Sequence, residues 1–212
     1  MLKATVSLLI VVALAAPVGA QDDAPAISFR PYFLVTGQQA SAKTTFNAVF
    51  GNAVEPFFGA GLQLALRDGV FVEVSASRFK KTGERAFLNN GHTFRLGIPL
   101  TATIIPFEVT GGYRFNADSS SLFVPYVGAG AGWYGYRESS QFSTPAEDVD
   151  THHVGYLAFG GVEFRVHRWV GLSIDAQYTH IPGILGIEGL SKDAGENDLG
   201  GIAARFRVIV GR

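Results

Sequence analysis

After the first 20 residues the chain is dominated by period-two alternation of apolar and polar positions. Residues 70–76, VFVEVSA, put Val70, Val72, Val74 and Ala76 on one face and Phe71, Glu73 and Ser75 on the other. Residues 170–178, VGLSIDAQY, do the same, and IAARFRVIV at 202–210 repeats the pattern. Side chains on a strand alternate between its two faces, so each segment carries one apolar and one mixed face. Eight such segments are found, at 27–37, 56–66, 70–80, 101–115, 122–136, 153–166, 169–180 and 199–211. Most match the ~9–11 residues that a tilted strand needs to cross a hydrocarbon layer. No amphipathic helix of ten or more residues stands out.

The connections alternate in length. Residues 67–69, 116–121 and 167–168 make short turns, whereas 38–55, 81–100, 137–152 and 181–198 are long. Short turns at one end, long loops at the other and an even strand number describe a transmembrane barrel. A soluble eight-stranded barrel turns its apolar face inward, and the membrane form inverts that order. Here the apolar faces carry large residues, while the opposite faces hold Gly59, Gly61, Gly128, Gly130 and Gly132. Glycine suits a narrow interior crowded by larger neighbours. The predicted fold is all-β, an eight-stranded antiparallel up-and-down transmembrane β-barrel.

On this parity the interior receives Arg30, Glu73, Glu108, Arg114, Glu163, Arg165, Asp175, Arg205 and Arg207, five basic and four acidic groups. A slip of one residue would turn them toward lipid, where Arg or Lys near the midplane costs roughly 2–4 kcal/mol each. Several such penalties exceed a domain's whole margin of about 5–15 kcal/mol, so the register is strongly specified. Asp175 and Arg205 lie at matching distances from the short-turn ends of adjacent strands and are expected to pair laterally. Aromatic residues such as Phe33, Phe58, Trp133, Tyr156, Tyr178, Phe107, Tyr113, Phe164 and Trp169 fall near strand ends on outward or boundary positions, where interfacial girdles form.

Composition agrees. The 212 residues are 47% hydrophobic and 17% charged, with a formal net charge of −1 and no cysteine. Soluble domains are typically about 25% charged. A near-neutral chain has no electrostatic footprint for nucleic acid. Without cysteine there are no disulfides, thiolate zinc sites or thiol nucleophiles. Residues 1–20 read as a signal peptide: Lys3 precedes an apolar run at 6–16, and Val18-Gly19-Ala20 gives a small-residue cleavage pattern. The barrel domain is then 21–212, exported to the bacterial outer membrane after cleavage near Ala20.

The run VPYVGAGAGWY at 124–134, preceded by GYRF at 112–115 and a polar turn, resembles the central hairpin of small outer-membrane barrels of the OmpW and OmpX type. The resemblance implies an eight-stranded barrel in the outer membrane of a Gram-negative bacterium. OmpX-like members imply a structural or surface-interaction role, and OmpW-like members a narrow passage for small hydrophobic compounds. The chain departs from that pattern at Val208-Ile-Val-Gly-Arg212, which holds no aromatic residue where such barrels end in one.

The remaining chemistry is sparse. His152 and His153 are adjacent and face opposite ways on a strand, so they cannot share a metal. His180 ends a strand at the outer rim, where a lipid A-modifying enzyme would hold its base, but no serine stands two residues away. GAGAG at 128–132 is followed by no Lys-Ser/Thr pair and no helix, so it is not a phosphate loop. The expectation is therefore a non-enzymatic, monomeric protein with no cofactor and no metal, whose partners are outer-membrane lipid and lipopolysaccharide. Arg78 and Lys80 share the lipid-facing parity near the outer rim and are candidates to contact lipopolysaccharide phosphates, unless the strand has left the membrane or a bulge has switched faces there. Phe71, Phe79, Leu157 and Phe159 point inward, where they fill space or line a path for a small hydrophobic ligand. In the 38–55 loop, Phe46, Val49 and Phe50 form either a contact patch or a folded lid.

Overall fold

The structure, a computed structural model, describes residues 27–66, 68–89, 92–115, 121–140, 149–187 and 189–211. The signal segment lies outside the described residues. Eight strands form a closed barrel in sequence order: β1 (Ile27–Ala40), β2 (Val54–Leu66), β3 (Val70–Asn89), β4 (His92–Arg114), β5 (Phe123–Ser140), β6 (Val149–His167), β7 (Val170–His180) and β8 (Gly201–Val210). Every neighbouring pair is antiparallel, and β1 closes on β8 with Tyr32 opposite Ile209 and Ala40 opposite Gly201. Two short helices sit at the long-loop end, α1 (Lys43–Phe50) between β1 and β2 and α2 (Gly189–Asp193) between β7 and β8. No helix among the described residues is long and apolar enough to cross a membrane.

The barrel is inside out. Phe29, Phe33, Phe58, Tyr156, Ile174 and Ile202 are each more than half exposed, whereas Arg207 and Glu163 are 1% exposed and Glu73 3%. Water-soluble folding would place these groups the other way round, since charged residues are rarely fully buried unless paired. Closure leaves no sheet edge around the ring, so the backbone groups of the strands bond to one another where no water can serve them. Glycine lets the strands coil this tightly: a Cβ on Gly130 would collide with the Val109 carbonyl oxygen of β4, and one on Gly161 with the Ile174 carbonyl oxygen of β7.

Two connections are more ordered than their sequence suggests. Residues 81–100 read as a loop, but β3 and β4 stay paired from Lys81 opposite Ala102 to Asn89 opposite His92, with an irregularity between Glu84 and Ala86. Likewise 137–152 is shortened from both sides, with Arg137 opposite Asp150 and 2.6 Å between their charged groups. The reason is the change of solvent. A ribbon beyond the hydrocarbon needs no greasy outer face, so the alternation ends while strand formers go on pairing. Phe87 and Phe94 illustrate this, stacked across the hairpin with ring centroids 5.3 Å apart.

Candidate functional site

The lumen is divided into levels. Nearest the short turns, Glu163 on β6 is met by Arg30 on β1, whose Nη1 lies 3.0 Å from Oε2 and whose Nη2 also donates to the carboxylate. Arg114 Nη2 on β4 donates to the same carboxylate at 3.1 Å, and Arg165 Nε stands 3.9 Å away. Arg30 Nη1 donates onward to Gln63 Oε1 on β2 at 2.6 Å, and Gln63 Nε2 donates to Glu73 Oε2 on β3 at 2.8 Å. Arg207 on β8 donates to that same Glu73 oxygen at 2.7 Å and to Asp175 Oδ2 on β7 at 3.1 Å. Asp175 also receives Arg205 Nε at 2.5 Å and the Tyr126 hydroxyl of β5 at 2.6 Å.

The result is one continuous belt of polar contacts to which all eight strands contribute. Its cations are packed on rings as well: the Arg207 guanidinium lies 5.0 Å from the Tyr126 ring centre and 5.2 Å from that of Tyr32. Burying an ion pair is repaid only when geometry is good and further hydrogen bonds satisfy the remaining donors and acceptors. The belt meets that condition at Glu163, Glu73 and Asp175, each of which has two or more donors.

Eight of the nine predicted lumen charges belong to this belt: Arg30, Glu73, Arg114, Glu163, Arg165, Asp175, Arg205 and Arg207. Glu108 does not. It sits higher, accepting the Tyr134 hydroxyl at 2.8 Å and Gln177 Nε2 at 3.2 Å, and among the described residues it meets no cation. Sequence reasoning passed over Gln63, Tyr126 and Ser173, which accepts Arg207 Nε at 3.0 Å. All three share the inward parity of the charges beside them, and that was the signal available.

Above Glu108 the lumen turns apolar. Phe57, Phe79, Ile104, Tyr134, Ile181 and Leu199 form one cluster with Phe46 of α1, closing the long-loop end. The 38–55 segment is thus a folded lid, with Phe46 and Val49 buried. Helix α1 has no side-chain cap of its own and is held from elsewhere. Thr44 N and Thr45 N each donate to Glu196 at 2.8 Å, and Thr45 Oγ1 adds a bond at 2.7 Å. At the other end Arg95 donates to the Ala48 and Asn47 carbonyls at 2.9 and 3.1 Å. A carboxylate at the N-terminus and a guanidinium at the C-terminus satisfy orphan backbone groups and match the helix dipole. Burial alone would raise the Glu196 carboxyl, but the bonds from Thr45 and Thr44 outweigh it and hold the group below its ordinary range.

Between belt and lid lies a cavity of about 20 Å³. His180 lies outside this space. Its Nδ1 is 2.9 Å from Asp198 Oδ2, and Asp198 Oδ1 accepts the Ile181 and Gly200 amides, so the pair anchors the β7–β8 connection. Arg78 and Lys80 are exposed on the outer face near Phe58. No three His, Asp or Glu side chains gather as metal ligands among the described residues.

A family described as "Outer membrane protein beta-barrel domain" matches residues 6–202. No curated protein matches the chain in sequence. Among solved structures, the outer membrane protein OprG from Pseudomonas aeruginosa is 13% identical with a TM-score of 0.59, the match covering 88% of this chain and 95% of that one. Neisserial surface protein A is 15% identical with a TM-score of 0.49, covering 88% and 97%. The N-terminal β-barrel domain of Pseudomonas aeruginosa OprF is 12% identical with a TM-score of 0.48, covering 86% and 97%. At such identities the OprG likeness is one of fold.

Proposed function

The chain belongs to the outer membrane protein β-barrel domain family, and from that premise we propose that it is a non-enzymatic, monomeric barrel of the bacterial outer membrane with a structural or surface-interaction role and a lumen closed to solutes. The belt of polar contacts carries this reading. A solute crossing the lumen would have to part Arg30 from Glu163 or Arg207 from Glu73, which leaves buried charges unpaired, a step that costs about 3–5 kcal/mol for each pair broken. The test is single-channel recording of the folded protein in planar bilayers. The expected record is flat at the baseline; steady conductance steps would overturn the closed-lumen reading.

A second reading, a narrow passage for small apolar molecules, is favoured by one observation: the upper cavity has Leu34, Phe57, Ile104, Ile181 and Leu199 among its walls. It requires a sideways exit, because the belt lies below. Uptake of an apolar dye into vesicles, without ion conductance, distinguishes it from the closed barrel.

On the outer surface Arg78 and Lys80 supply the contact to lipopolysaccharide, as charge-assisted donors to its phosphates. Their exposed, outward position beside an interfacial aromatic supports this assignment. Charge reversal at both residues is expected to weaken lipopolysaccharide binding, and unchanged binding removes the idea. Export with removal of residues 1–20 completes the proposal.

A further inference from the structure

The β3–β4 ribbon rises above the barrel wall with one face packed and the other bare. Pairing of β2 with β3 ends at Phe58 opposite Arg78, and pairing of β4 with β5 ends at Leu100 opposite Ser140, so the ribbon beyond has two free edges. A lone two-stranded ribbon is marginally stable, and this one leans on the lid. Near the rim the packed side of β3 is the odd-numbered one: Lys81 Nζ lies 2.6 Å from Glu55 Oε1, and a Cβ on Gly83 would meet the Val49 carbonyl oxygen of α1. Beyond the register shift between Glu84 and Ala86 the sides exchange. Ala86 and Leu88 now pack with Ala48 and Val49 of α1, and Arg95, opposite Ala86, donates to the carbonyls of that helix. Phe87 and Phe94 are thereby turned away from the lid, stacked on each other and 41% and 46% exposed. Without the shift Phe87 would follow Phe79 and Lys81 to the inner side. Such irregularities re-aim side chains, and this one aims an aromatic pair outward.

From the membrane outward, the bare face presents three kinds of group in order. Arg78 and Lys80 come first, then Thr82 and Thr101 with their hydroxyls 2.9 Å apart, then the aromatic pair. The strip continues the lipid-facing side of Val70, Val72 and Val74, so its neighbour is whatever stands beside the barrel in the same leaflet. Height narrows the choice. Phe58, opposite Arg78, is an exposed aromatic of the kind that marks the membrane interface. Phe87 lies nine residues beyond Arg78, about 30 Å along the strand and about 20 Å above that level at the tilt of a membrane barrel. The head-group layer of a phospholipid bilayer is only about 5–8 Å thick on each side, so a lipid that reaches the pair must carry a tall polar head. Charge narrows it further. Residues 78–98 hold Arg78, Lys80, Lys81, Arg85 and Arg95 against Glu84 alone, which suits a head that is anionic where it leaves the membrane. The rings at the top suit the C–H face of a pyranose, an apolar disc with hydroxyls at its rim, and so large an exposed apolar group above the membrane marks a contact surface.

We infer that the outer face of the β3–β4 ribbon is a docking surface for the saccharide head of lipopolysaccharide in the same leaflet, with Phe87 and Phe94 stacked against a core sugar. The inference rests on the lipopolysaccharide reading of the outer surface and extends it from phosphate, at Arg78 and Lys80, to sugar. It gives the register shift in β3 and β4 a purpose, since that shift is what presents the two rings to the leaflet side.

The experiment is native mass spectrometry of the folded barrel in detergent, titrated with lipid A alone and, separately, with rough lipopolysaccharide that carries a complete core. The wild type is expected to hold the core-bearing form about fivefold more tightly than lipid A. Phe87→Ala with Phe94→Ala is expected to abolish that preference and to leave lipid A binding unchanged. Phe87→Leu with Phe94→Leu keeps an apolar surface without rings and is expected to do likewise, so a folding defect in the alanine variant leaves the leucine variant to decide. Phe87→Tyr with Phe94→Tyr keeps the rings and should keep the preference. Arg78→Glu with Lys80→Glu should weaken both forms alike. If it weakens neither while the aromatic variants still lose the preference, the phosphate contact of those two residues falls and the saccharide contact stands. Equal affinity of the wild type for the two forms, or a preference that survives in both ring-free variants, would overturn the inference alone. Binding of neither form would overturn it together with the lipopolysaccharide reading. A dimer that forms without lipopolysaccharide and is lost in the ring-free variants would overturn it too, since the pair would then face a second copy of the chain.

Discussion

The two halves of the lumen are closed by opposite means. Toward the short turns, the belt from Arg114 through Glu163, Arg30, Gln63, Glu73 and Arg207 to Asp175 and Tyr126 links all eight strands, several of them across the lumen, by charge and hydrogen bonds. Toward the long loops, Phe46, Phe57, Phe79, Ile181 and Leu199 close the mouth by apolar contact, Ala48 and Val49 of α1 pack with Leu100 and Leu190, and Glu196 and Arg95 hold the ends of the helix. The difference is one of cooperativity. A belt residue has partners on several strands, so its loss is felt around the ring. The lid meets the ring through the two short helices α1 and α2 at one end of the barrel, so it is the part expected to open as a local event of the kind that leaves the rest of a protein intact.

The contrast is broken most severely at Arg207. This guanidinium bonds Glu73, Asp175 and Ser173 and is fully enclosed. Arg207→Ala leaves two carboxylates short of a buried cation, a change expected to cost about 3–5 kcal/mol. Urea titration of the detergent-folded barrel, followed by the heat-modifiable gel band, should show the midpoint fall for the whole molecule in one transition. If instead the variant unfolds at the wild-type midpoint, the belt is not what holds the strands together.

Much of the belt was legible in the sequence and little of the lid was, for a physical reason. Lipid outside and a narrow lumen inside impose a strict period of two, so Val70, Val72 and Val74 declare one face and Glu73 the other without any knowledge of neighbours. Parity says nothing of level. Glu108 shares its face with Arg114 but lies six residues away on β4, about 20 Å along an extended strand, which takes it out of reach of the group around Glu163 and leaves it to Tyr134 and Gln177. The membrane also explains the two ribbons that read as loops, since alternation is enforced only where there is hydrocarbon to enforce it. Helix α1 gave no local start signal at all. Ala42 stands at its N-cap and no acidic residue lies in its first turn, because its carboxylate comes from Glu196, 151 residues after Thr45.

A gentler perturbation at Glu196 sharpens the comparison from the other side. Its carboxyl is held below the ordinary value by three bonds from Thr44 and Thr45, with burial working in the opposite direction. A group whose value falls on folding contributes stability that is complete above its unfolded value, near 4.3 for Glu, and that disappears as pH drops through the lowered one. The lid should therefore be fully clamped at neutral pH, begin to loosen below the ordinary carboxylate range, and lose this clamp only at still lower pH. Glu196→Gln keeps one acceptor but loses the charge, and by analogy with the loss of a helix cap it should weaken the lid by about 1 kcal/mol at neutral pH. Amide hydrogen exchange is the measurement that separates lid from ring. Thr44, Thr45 and Phe46 should exchange about fivefold faster in the variant, while amides beside the belt, such as those of Glu73 and Glu163, keep their protection. Faster exchange at Glu73 as well would mean that the two halves of the lumen open together, and that the lid is part of the barrel's single cooperative unit after all.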